Sequence, residues 1–448
     1  MQRLELSQVA LIVGGVLRGE DREVRRIVTD TRDCGESDLF VAIRGERFDP
    51  HDFLDKAASA SAAIVERVPE NAPPSLPMVV VDSARIALAD LARHHRRSLV
   101  QTKVVSIAGS NGKTGTKHLL HAALSQTLRG TTSPKSFNND IGVPLTLLPV
   151  DPNDDYVVVE VGTNHPGEVE PLSKIALPDV AIITSIGEEH LEGLGDLDGV
   201  RRENATIVAG MDADGVLILP GDEPRLRELC DFGDQVITFG TGEACDYRAT
   251  DVRTGYDGTR FRINGKPASV PALGLHAATN AAAAFAAAVA IGVDPADALR
   301  GLASAEMPAM RMQILDLPSG IRLINDAYNA NPASMRAALA TLRDLDHAGR
   351  KVAVLGTMLE LGGESERYHR ETGREAVGVD LLIGVGSGGK VAVEAAISNG
   401  LSAANTHHFD DAAAAAAVAR SLLREGDLVL LKASRGVGLE RIAETLTE

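Results

Sequence analysis

Short apolar runs alternate with helix-like stretches through the middle of the chain. Three of them, Val104–Ala108, Tyr156–Val161 and Val180–Ile186, have the length and composition of buried strands. Continuous apolar strands that alternate with helices are typical of a mostly parallel sheet. The pattern therefore predicts an α/β fold here.

The last third of the chain repeats strand-then-helix units. The predicted strands are Ile321–Ile324, Val352–Leu355, Leu381–Val385 and Leu428–Leu431. This layout predicts a Rossmann-like, doubly wound domain. Glycines 386, 388 and 389 do not have the spacing of a dinucleotide fingerprint, so they are interpreted as a plain loop. The alanine run 412–417 is predicted to be helical because apolar positions continue its period beyond residue 417.

The pattern differs at the beginning of the chain and between residues 215 and 270. Strand-like Leu39–Ile43 and Met78–Val81, followed by a helix over Ala84–Arg97, predict a small N-terminal α/β domain. Residues 215–270 form short β-like pieces, and an alanine-rich helix follows over Ala277–Ile291. A length of 448 residues fits three domains. We predict boundaries at 1–99, 100–312 and 313–448.

Composition narrows the functional classes. The net charge of −17 argues against a nucleic-acid partner, because phosphate backbones require clustered lysine and arginine. No apolar run approaches the roughly 20 residues of a membrane span, and the N-terminus lacks an apolar signal core, so a cytoplasmic protein without membrane insertion is expected. Cys34, Cys230 and Cys245 lie far apart without metal-ligand spacing and are interpreted as reduced thiols.

A glycine-rich turn follows the strand Val104–Ala108 and precedes a helix-like stretch. Its glycines allow backbone N–H groups to approach phosphate, and a lysine and a threonine follow at the helix N-terminus. Ile107 stands where the longer form of this loop has glycine, and an ordinary glycine turn is the alternative. The strand–turn–helix context favours binding of ATP. The predicted nucleotide-binding residues of this loop are Gly109, Ser110, Asn111, Gly112, Lys113, Thr114 and Gly115.

Two further polar side chains stand at the ends of predicted strands. Glu160 ends one strand, and His190 follows the next. The carboxyl ends of parallel strands are where such sheets bind ligands. A carboxylate and an imidazole beside a phosphate loop are suited to hold Mg²⁺, although both could instead be surface loop residues.

Several segments in register resemble the Mur ligase family over essentially the whole chain. Besides the phosphate loop, the matching segments are 29–32, 45–48, 137–144, 160–165, 190–193, 326–332, 355–362 and 432–435. The resemblance implies an ATP- and Mg²⁺-dependent carboxylate–amine ligase of cytoplasmic peptidoglycan precursor synthesis. The Tyr-Asn-Ala-Asn-Pro and Leu-Glu-Leu-Gly pieces favour the member that joins D-alanyl-D-alanine to UDP-N-acetylmuramoyl-tripeptide. Its substrates are small molecules, and a monomer is expected.

Two other functions remain open. The acceptor could be a different amino acid or peptide, or the chain could be a nucleotide-binding subunit that has lost ligation chemistry. The resemblance also implies a UDP-substrate domain, an ATP-binding domain and a C-terminal domain in that order.

The resemblance assigns roles to individual residues. Lys113, Glu160 and His190 are the implied catalytic residues, and Thr114, Glu160 and His190 the implied metal ligands. Further implied nucleotide-binding residues are Asn138, Asn280, Arg311, Asp326, Tyr328, Asn329 and Asn331. The implied substrate-binding residues are Thr31, Arg32, Asn139, Asn164, His165, Lys432, Ser434 and Arg435. For the last three, a solvated basic turn after a strand is the alternative.

Three positions depart from the family pattern. Asn204 replaces the lysine whose carbamate bridges a second Mg²⁺ in family members. Thr357 replaces a common aspartate, and Ala277 replaces an asparagine after a histidine. Asparagine forms no carbamate, so binding of the second metal ion is the function most affected.

Overall fold

Four sheets organise the computed structural model, which describes residues 3–45, 47–226 and 235–447. Glu46 of the 45–48 segment and Cys230 lie outside the described residues. The sheets contain two, five, nine and six strands and follow one another along the chain with little interleaving.

The N-terminal part combines a five-stranded sheet with a two-stranded one. Its elements are β1 (Leu4–Glu5), α1 (Leu6–Ile12), β2 (Val16–Arg18), β3 (Glu23–Val24), β4 (Arg26–Val28), β5 (Asp38–Val41), β6 (Ala62–Val65), β7 (Met78–Val80) and α2 (Ala84–Ser98). The larger sheet has the order β2-β7-β6-β5-β4 and is parallel except at β2. Ser83 caps α2, whose buried residues recur at the spacing of an amphipathic helix.

The central part is built on the nine-stranded sheet. Its elements are β8 (Lys103–Ala108), α3 (Lys113–Leu124), β9 (Gly130–Thr132), α4 (Gly142–Leu147), β10 (Tyr156–Glu160), α5 (Val169–Ala176), β11 (Val180–Ile183), α6 (Leu191–Leu194), α7 (Leu197–Ala205), β12 (Val216–Pro220), β13 (Val236–Gly240), β14 (Tyr247–Gly255), β15 (Gly258–Ile263), β16 (Lys266–Val270), α8 (Leu275–Ile291) and α9 (Pro295–Ala303).

The strand order of this sheet places one loop at a topological switch point. The order is β16-β15-β14-β13-β12-β11-β8-β10-β9, and only the pairs within β14–β16 are antiparallel. The chain leaves β8 on one side for β9 and β10, and then returns to the other side for β11. Ligands bind at such points in open α/β sheets, so the loop after β8 lies in the expected position.

The C-terminal part is a six-stranded doubly wound sheet, as predicted. Its elements are β17 (Gln313–Asp316), β18 (Arg322–Asn325), α10 (Pro332–Asp344), β19 (Lys351–Gly356), α11 (Ser365–Glu375), β20 (Leu381–Val385), α12 (Gly386–Ser398), β21 (Thr406–Phe409), α13 (Ala412–Leu422), β22 (Leu428–Lys432) and α14 (Glu440–Thr447). The order is β17-β18-β22-β19-β20-β21, and β17 alone of these strands is antiparallel to its neighbour.

The interpretation of glycines 386, 388 and 389 as a plain loop was wrong. They form the first turn of α12, because Gly386 has the φ of +75° that the sharp turn out of β20 requires. Gly388 and Gly389 pack so closely on His369 and Gly384 that a side chain would not fit at either position.

One continuous core joins the N-terminal and central parts. Buried residues of α1, α2 and the five-stranded sheet belong to the same apolar cluster as buried residues of α4, α5 and β10. At the end of α2, Arg96 donates to the carbonyls of Ala176 and Leu177 and pairs with Asp179 at 2.9 Å.

The four sheets and their helices confirm the α/β fold class. The domain boundaries remain predictions.

Candidate active site

The loop after β8 and the N-terminus of α3 form a backbone cradle. Gly109 has a φ of +120° and Gly112 a φ of +89°. A side chain at residue 109 would collide with Thr184, and one at residue 112 would collide with Asn280. Glycine is therefore required at both positions, and the N–H groups at the start of α3 can bind an anion.

Lys113 extends from this cradle towards the carbonyl of Gly109 and the carboxylate of Glu189. Its Nζ donates to the carbonyl of Gly109 and lies 3.6 Å from Glu189 Oε2. Glu189 in turn lies 4.0 Å from His190 Nε2. The ammonium is mostly buried, where its charge acts through a weaker solvent screen than at the surface.

Glu160 is the centre of a buried polar cluster at the end of β10. Thr114 Oγ1 donates to its two oxygens at 3.2 and 3.1 Å, and Asn138 Nδ2 donates at 3.2 Å. Lys117 Nζ lies 3.3 Å from the other side of the carboxylate. Hydroxyl and carboxylate oxygens beside a phosphate cradle are the hard ligands that Mg²⁺ prefers, so these residues fit the ion.

Lys117 is fully buried and also fixes the neighbouring loop. Its Nζ donates to the carbonyls of Ser133, at 2.9 Å, and Lys135. Burial lowers the pKa of Lys117, and the facing Glu160 carboxylate acts in the opposite direction. The lysine thereby ties the 133–138 loop to β10.

Residues of the C-terminal part face the cradle from the other side. Lys432 Nζ lies 2.6 Å from Asp326 Oδ2 and donates to the carbonyl of Asn329 at 3.0 Å. Asn331 Nδ2 donates to Asn111 Oδ1 of the phosphate loop at 2.9 Å. This bond joins the two parts directly at the site.

Tyr328 lies at another side of the site. Its hydroxyl donates to Ser136 Oγ at 2.9 Å, and the Arg311 guanidinium lies 4.1 Å from its ring centroid. Such a cation–π contact stabilises both side chains. Arg435 lies further away, 5.8 Å from the same ring.

A cavity of about 560 Å³ lies between the two parts, a volume in the range of small-molecule sites. Most of the predicted residues line it: Ser110, Asn111, Gly112, Lys113, Thr114, Gly115, Asn138, Glu160, Asn164, His190, Asn280, Arg311, Asp326, Tyr328, Asn329, Asn331 and Lys432. The sequence prediction therefore named residues that the fold brings together.

Other predicted residues lie outside this cavity. Gly109 N–H donates to Asn204 Oδ1 at 2.7 Å, and Asn139 Oδ1 accepts from the N–H of Gly142, the first residue of α4. Ser434 Oγ donates to the Ala330 carbonyl and accepts from Leu359 N–H. Arg435 donates to Met310 Sδ from an exposed position. None of Gly109, Asn139, Ser434 and Arg435 lines the cavity.

Of the remaining predicted substrate residues, Arg32 and His165 are exposed and Thr31 is half-buried. His165 lies near Glu168 at 3.6 Å on the loop after β10. Thr31 and Arg32 belong to a short 3₁₀ turn of the N-terminal part, where Arg32 pairs with Asp30. These residues remain predictions for the substrate end of the site.

Sequence reasoning missed three residues that shape the site, Lys117, His276 and Glu360, and gave Glu189 only as one of two candidates, with Glu192, to replace the absent carbamate. Lys117 follows Lys113 by one helical turn, a spacing that could have indicated a shared face of α3. Glu189 adjoins His190 in sequence. His276 lines the cavity, and burial lowers its pKa. Glu360 reaches His190 Nδ1 from the C-terminal part, a contact without a local sequence signal.

The positions that depart from the family pattern have structural partners here. Asn204 is buried in α7, where its Nδ2 donates to Val200 O at 2.9 Å while its Oδ1 binds Gly109 N–H. The neighbouring Glu203 accepts three N–H groups at the start of α5. Thr357 accepts from Gly388 N–H at 3.0 Å. Asn204 and Glu203 are thus both committed to backbone groups.

Family models match two long segments of the chain. The Mur ligase middle domain matches residues 107–288, and the Mur ligase, glutamate ligase domain matches residues 310–435. The chain belongs to the Mur ligase family. The first matched segment begins within β8 and contains the phosphate cradle, and the second contains Asp326 and Lys432 across the cavity.

Full-length relatives extend this family assignment. The UDP-N-acetylmuramoyl-tripeptide–D-alanyl-D-alanine ligase of Bacillus subtilis is 38% identical over 100% of this chain and 99% of that protein. The Escherichia coli ligase of the same name is 35% identical over the same shares. The crystal structure of MurF from Acinetobacter baumannii superposes on this chain with a TM-score of 0.91. It is 32% identical and covers 100% of this chain and 99% of that one.

A second solved relative contains a nucleotide. MurF ligase of Thermotoga maritima, in complex with ADP, has a TM-score of 0.83 and 28% identity, with coverage of 95% of this chain and 97% of that one.

Within the described ranges, no helix of this Mur ligase combines the length and apolar character that a bilayer span requires.

Proposed function

We propose that the chain is an ATP-dependent ligase that joins D-alanyl-D-alanine to UDP-N-acetylmuramoyl-tripeptide, releasing ADP and phosphate. One observation carries the proposal. A phosphate cradle with Lys113 faces Asp326 and Asn331 across a single cavity, in a chain that matches a ligase of this name over its full length.

The reaction needs an activated carboxylate, because carboxylate oxygen is a poor leaving group. A carboxylate oxygen of the tripeptide attacks the γ-phosphorus of ATP, and the bond to the ADP oxygen breaks. The amine of D-alanyl-D-alanine then attacks the acyl carbon, the amide bond forms, and phosphate and a proton leave.

The chain's own groups fit these steps. The N–H groups of the cradle and Lys113 bind the phosphates and offset charge on the transferring phosphoryl group. Thr114 and Glu160 hold Mg²⁺, which when bound neutralises charge on the β- and γ-phosphate oxygens. Asp326, Asn329 and Lys432 close the nucleotide side, so that water is kept from the acyl phosphate.

The substrates extend beyond the cavity. Thr31 and Arg32 hold the uridine end, while Asn139, Asn164 and His165 meet the peptidyl part. We further propose that the enzyme works as a monomer in the cytoplasm on these small molecules.

Release of phosphate tests the proposed function against its alternatives. The purified chain receives ATP, Mg²⁺ and UDP-N-acetylmuramoyl-tripeptide, with lysine and diaminopimelate forms in parallel, and either D-alanyl-D-alanine or single amino acids as acceptor. Release that depends on D-alanyl-D-alanine supports the proposal. Release only with another acceptor indicates a different ligase, and nucleotide binding without any release indicates a subunit that has lost the chemistry.

A further inference from the structure

Glu189 has a buried carboxylate oxygen that the rest of the described chain does not satisfy. The residue is 6% exposed and lines the cavity, and its Oε1 has no hydrogen-bond partner among the described residues. Its Oε2 lies 3.6 Å from Lys113 Nζ and 4.0 Å from His190 Nε2. A buried unpaired oxygen is costly, and buried polar groups of this kind point to a ligand or ion.

His190 is held so that its other nitrogen faces Glu189. Glu360 Oε2 binds His190 Nδ1 across the two parts of the molecule. The backbone of His190 has a φ of +48°, an uncommon conformation for a residue other than glycine. A carboxylate on one imidazole nitrogen is the usual arrangement when the other nitrogen binds a metal ion.

The other nearby carboxylates are unsuited to replace Glu189. Glu203 caps α5, and Glu188 pairs with Arg336 at 3.0 Å. Glu192 is exposed, although its main chain contacts Glu360. Asn204, which replaces the family's lysine, uses its oxygen for Gly109 N–H. Glu360 is exposed and lies on the Nδ1 side of His190. On the Nε2 side, Glu189 is the buried carboxylate with an unpaired oxygen among the described residues.

We propose that Glu189 and His190 Nε2 bind a second divalent cation together with the nucleotide, and that Glu189 supplies the negative charge. The described chain holds no group of three or more His, Cys, Asp or Glu residues arranged for a metal ion. Phosphate and water must therefore complete the ligand shell, as is usual for Mg²⁺. The role of this cation in ligation rests on the proposed function, whereas the binding of the cation does not.

The arrangement also links the cation to the contact between the two parts. Glu360 lies on the loop after β19, whereas His190 lies on the loop after β11. His190 thus has its orienting carboxylate only when these loops meet. Glu360 is a positioning residue, and Glu189 is a direct ligand.

Binding of Mn²⁺, measured by electron paramagnetic resonance with a non-hydrolysable ATP analogue, tests the proposal. We expect two Mn²⁺ ions per nucleotide-bound wild-type chain. Glu189→Gln should retain one ion and weaken the second by about 10-fold or more. Glu192→Gln, a change of the same type at the exposed neighbour, should retain both. Glu360→Gln should weaken the second ion while Glu360→Asp restores part of the affinity. Circular dichroism verifies that each variant is folded.

Two outcomes would overturn the proposal. One is a single Mn²⁺ ion in the wild type, and the other is two ions of unchanged affinity in Glu189→Gln. If Glu189→Gln keeps both ions at unchanged affinity but binds the nucleotide with an altered affinity, Glu189 acts only as a partner of Lys113. Bicarbonate should not change the second ion, since no carbamate is involved. The measurement needs no acceptor, so it stays informative even if the D-alanyl-D-alanine assay fails.

Discussion

Three lysines of the site are each paired with a carboxylate in a mostly buried position. Lys113 faces Glu189, Lys117 faces Glu160, and Lys432 faces Asp326. Burying a charge is costly unless it is paired and hydrogen-bonded. The pairs nevertheless differ. Lys117 is enclosed by backbone carbonyls, whereas Lys113 lines the cavity, so we expect a structural role for the first and a catalytic role for the second.

Lys113→Ala should abolish ligation without unfolding the chain. The ammonium offsets charge that develops on the transferring phosphoryl group, and loss of one such group typically costs about 100-fold or more in kcat. Phosphate release measures the effect. Lys174→Ala is the control, because that lysine is exposed and pairs with Glu170 on α5. Wild-type turnover in Lys113→Ala would contradict the assignment of the phosphate loop.

Lys117→Met should instead lower stability. The change leaves Glu160 buried without its cation and removes a donor to two carbonyls, a loss of about 3–5 kcal/mol in comparable buried pairs. Urea denaturation measures the free energy of unfolding. Lys135→Met serves as control, since that side chain is exposed on the same loop. Equal stability of the two variants would show that the pair contributes little.

The helix α10 begins at the site, and its first residues serve two purposes. Asn331 caps the helix by accepting from Ser334 N–H at 2.9 Å, within a capping box, and Pro332 occupies the first helical position. The amide nitrogen of the same asparagine reaches Asn111 of the phosphate loop. One side chain therefore ends a loop and joins two parts of the molecule.

Asn331→Ser should separate these two purposes. Serine is also a good helix cap, but it is too short to reach Asn111. We expect unchanged stability and about fivefold weaker nucleotide binding, equivalent to one hydrogen bond of about 1 kcal/mol. Calorimetric titration with ADP measures the affinity. Asn331→Ala should lose the cap as well, and thereby about 1 kcal/mol of stability; equal behaviour of both variants would argue against the division.

Local sequence patterns predicted the elements well and some contacts poorly. The strand before the phosphate loop and the helix α2 are specified by apolar periodicity within a few residues. The first turn of α12 was missed because its three glycines favour loops, and only close packing against His369 and Gly384 explains them. Glu360 and His190 are 170 residues apart, so their contact depends on the tertiary arrangement and has no periodic signal.

Across the whole molecule, the central and C-terminal parts also meet at contacts outside the cavity. Arg336 on α10 pairs with Glu188 at 3.0 Å, and Tyr256 donates to the carbonyl of Asp346 at 3.0 Å. The residues that we propose to bind the nucleotide belong to both parts, so a ligand that contacts both favours this arrangement.

Addition of an ATP analogue and UDP-substrate should therefore reduce the radius of gyration in solution. Small-angle scattering measures the change. Arg336→Glu should shift the protein towards open forms, because it places two negative charges together at the junction, and the exchanged pair Glu188→Arg/Arg336→Glu should restore closure. Identical scattering profiles with and without ligands would count against a closing motion.

The shared core of the N-terminal and central parts determines how the chain comes apart. One face of the N-terminal sheet has a cluster of its own around Phe40 and Leu54. Its other face, with α2, is buried against α4 and α5, and Arg96 satisfies carbonyls at the end of α5, so residues 3–99 cannot separate from the central part without exposing half of their core. Calorimetry should record two cooperative melting transitions where a three-part division of the chain suggests three. The N-terminal part, to which we assign the UDP-linked substrate, is thus not an exchangeable module. A graft onto a relative would have to carry the facing surfaces of α4 and α5 with it.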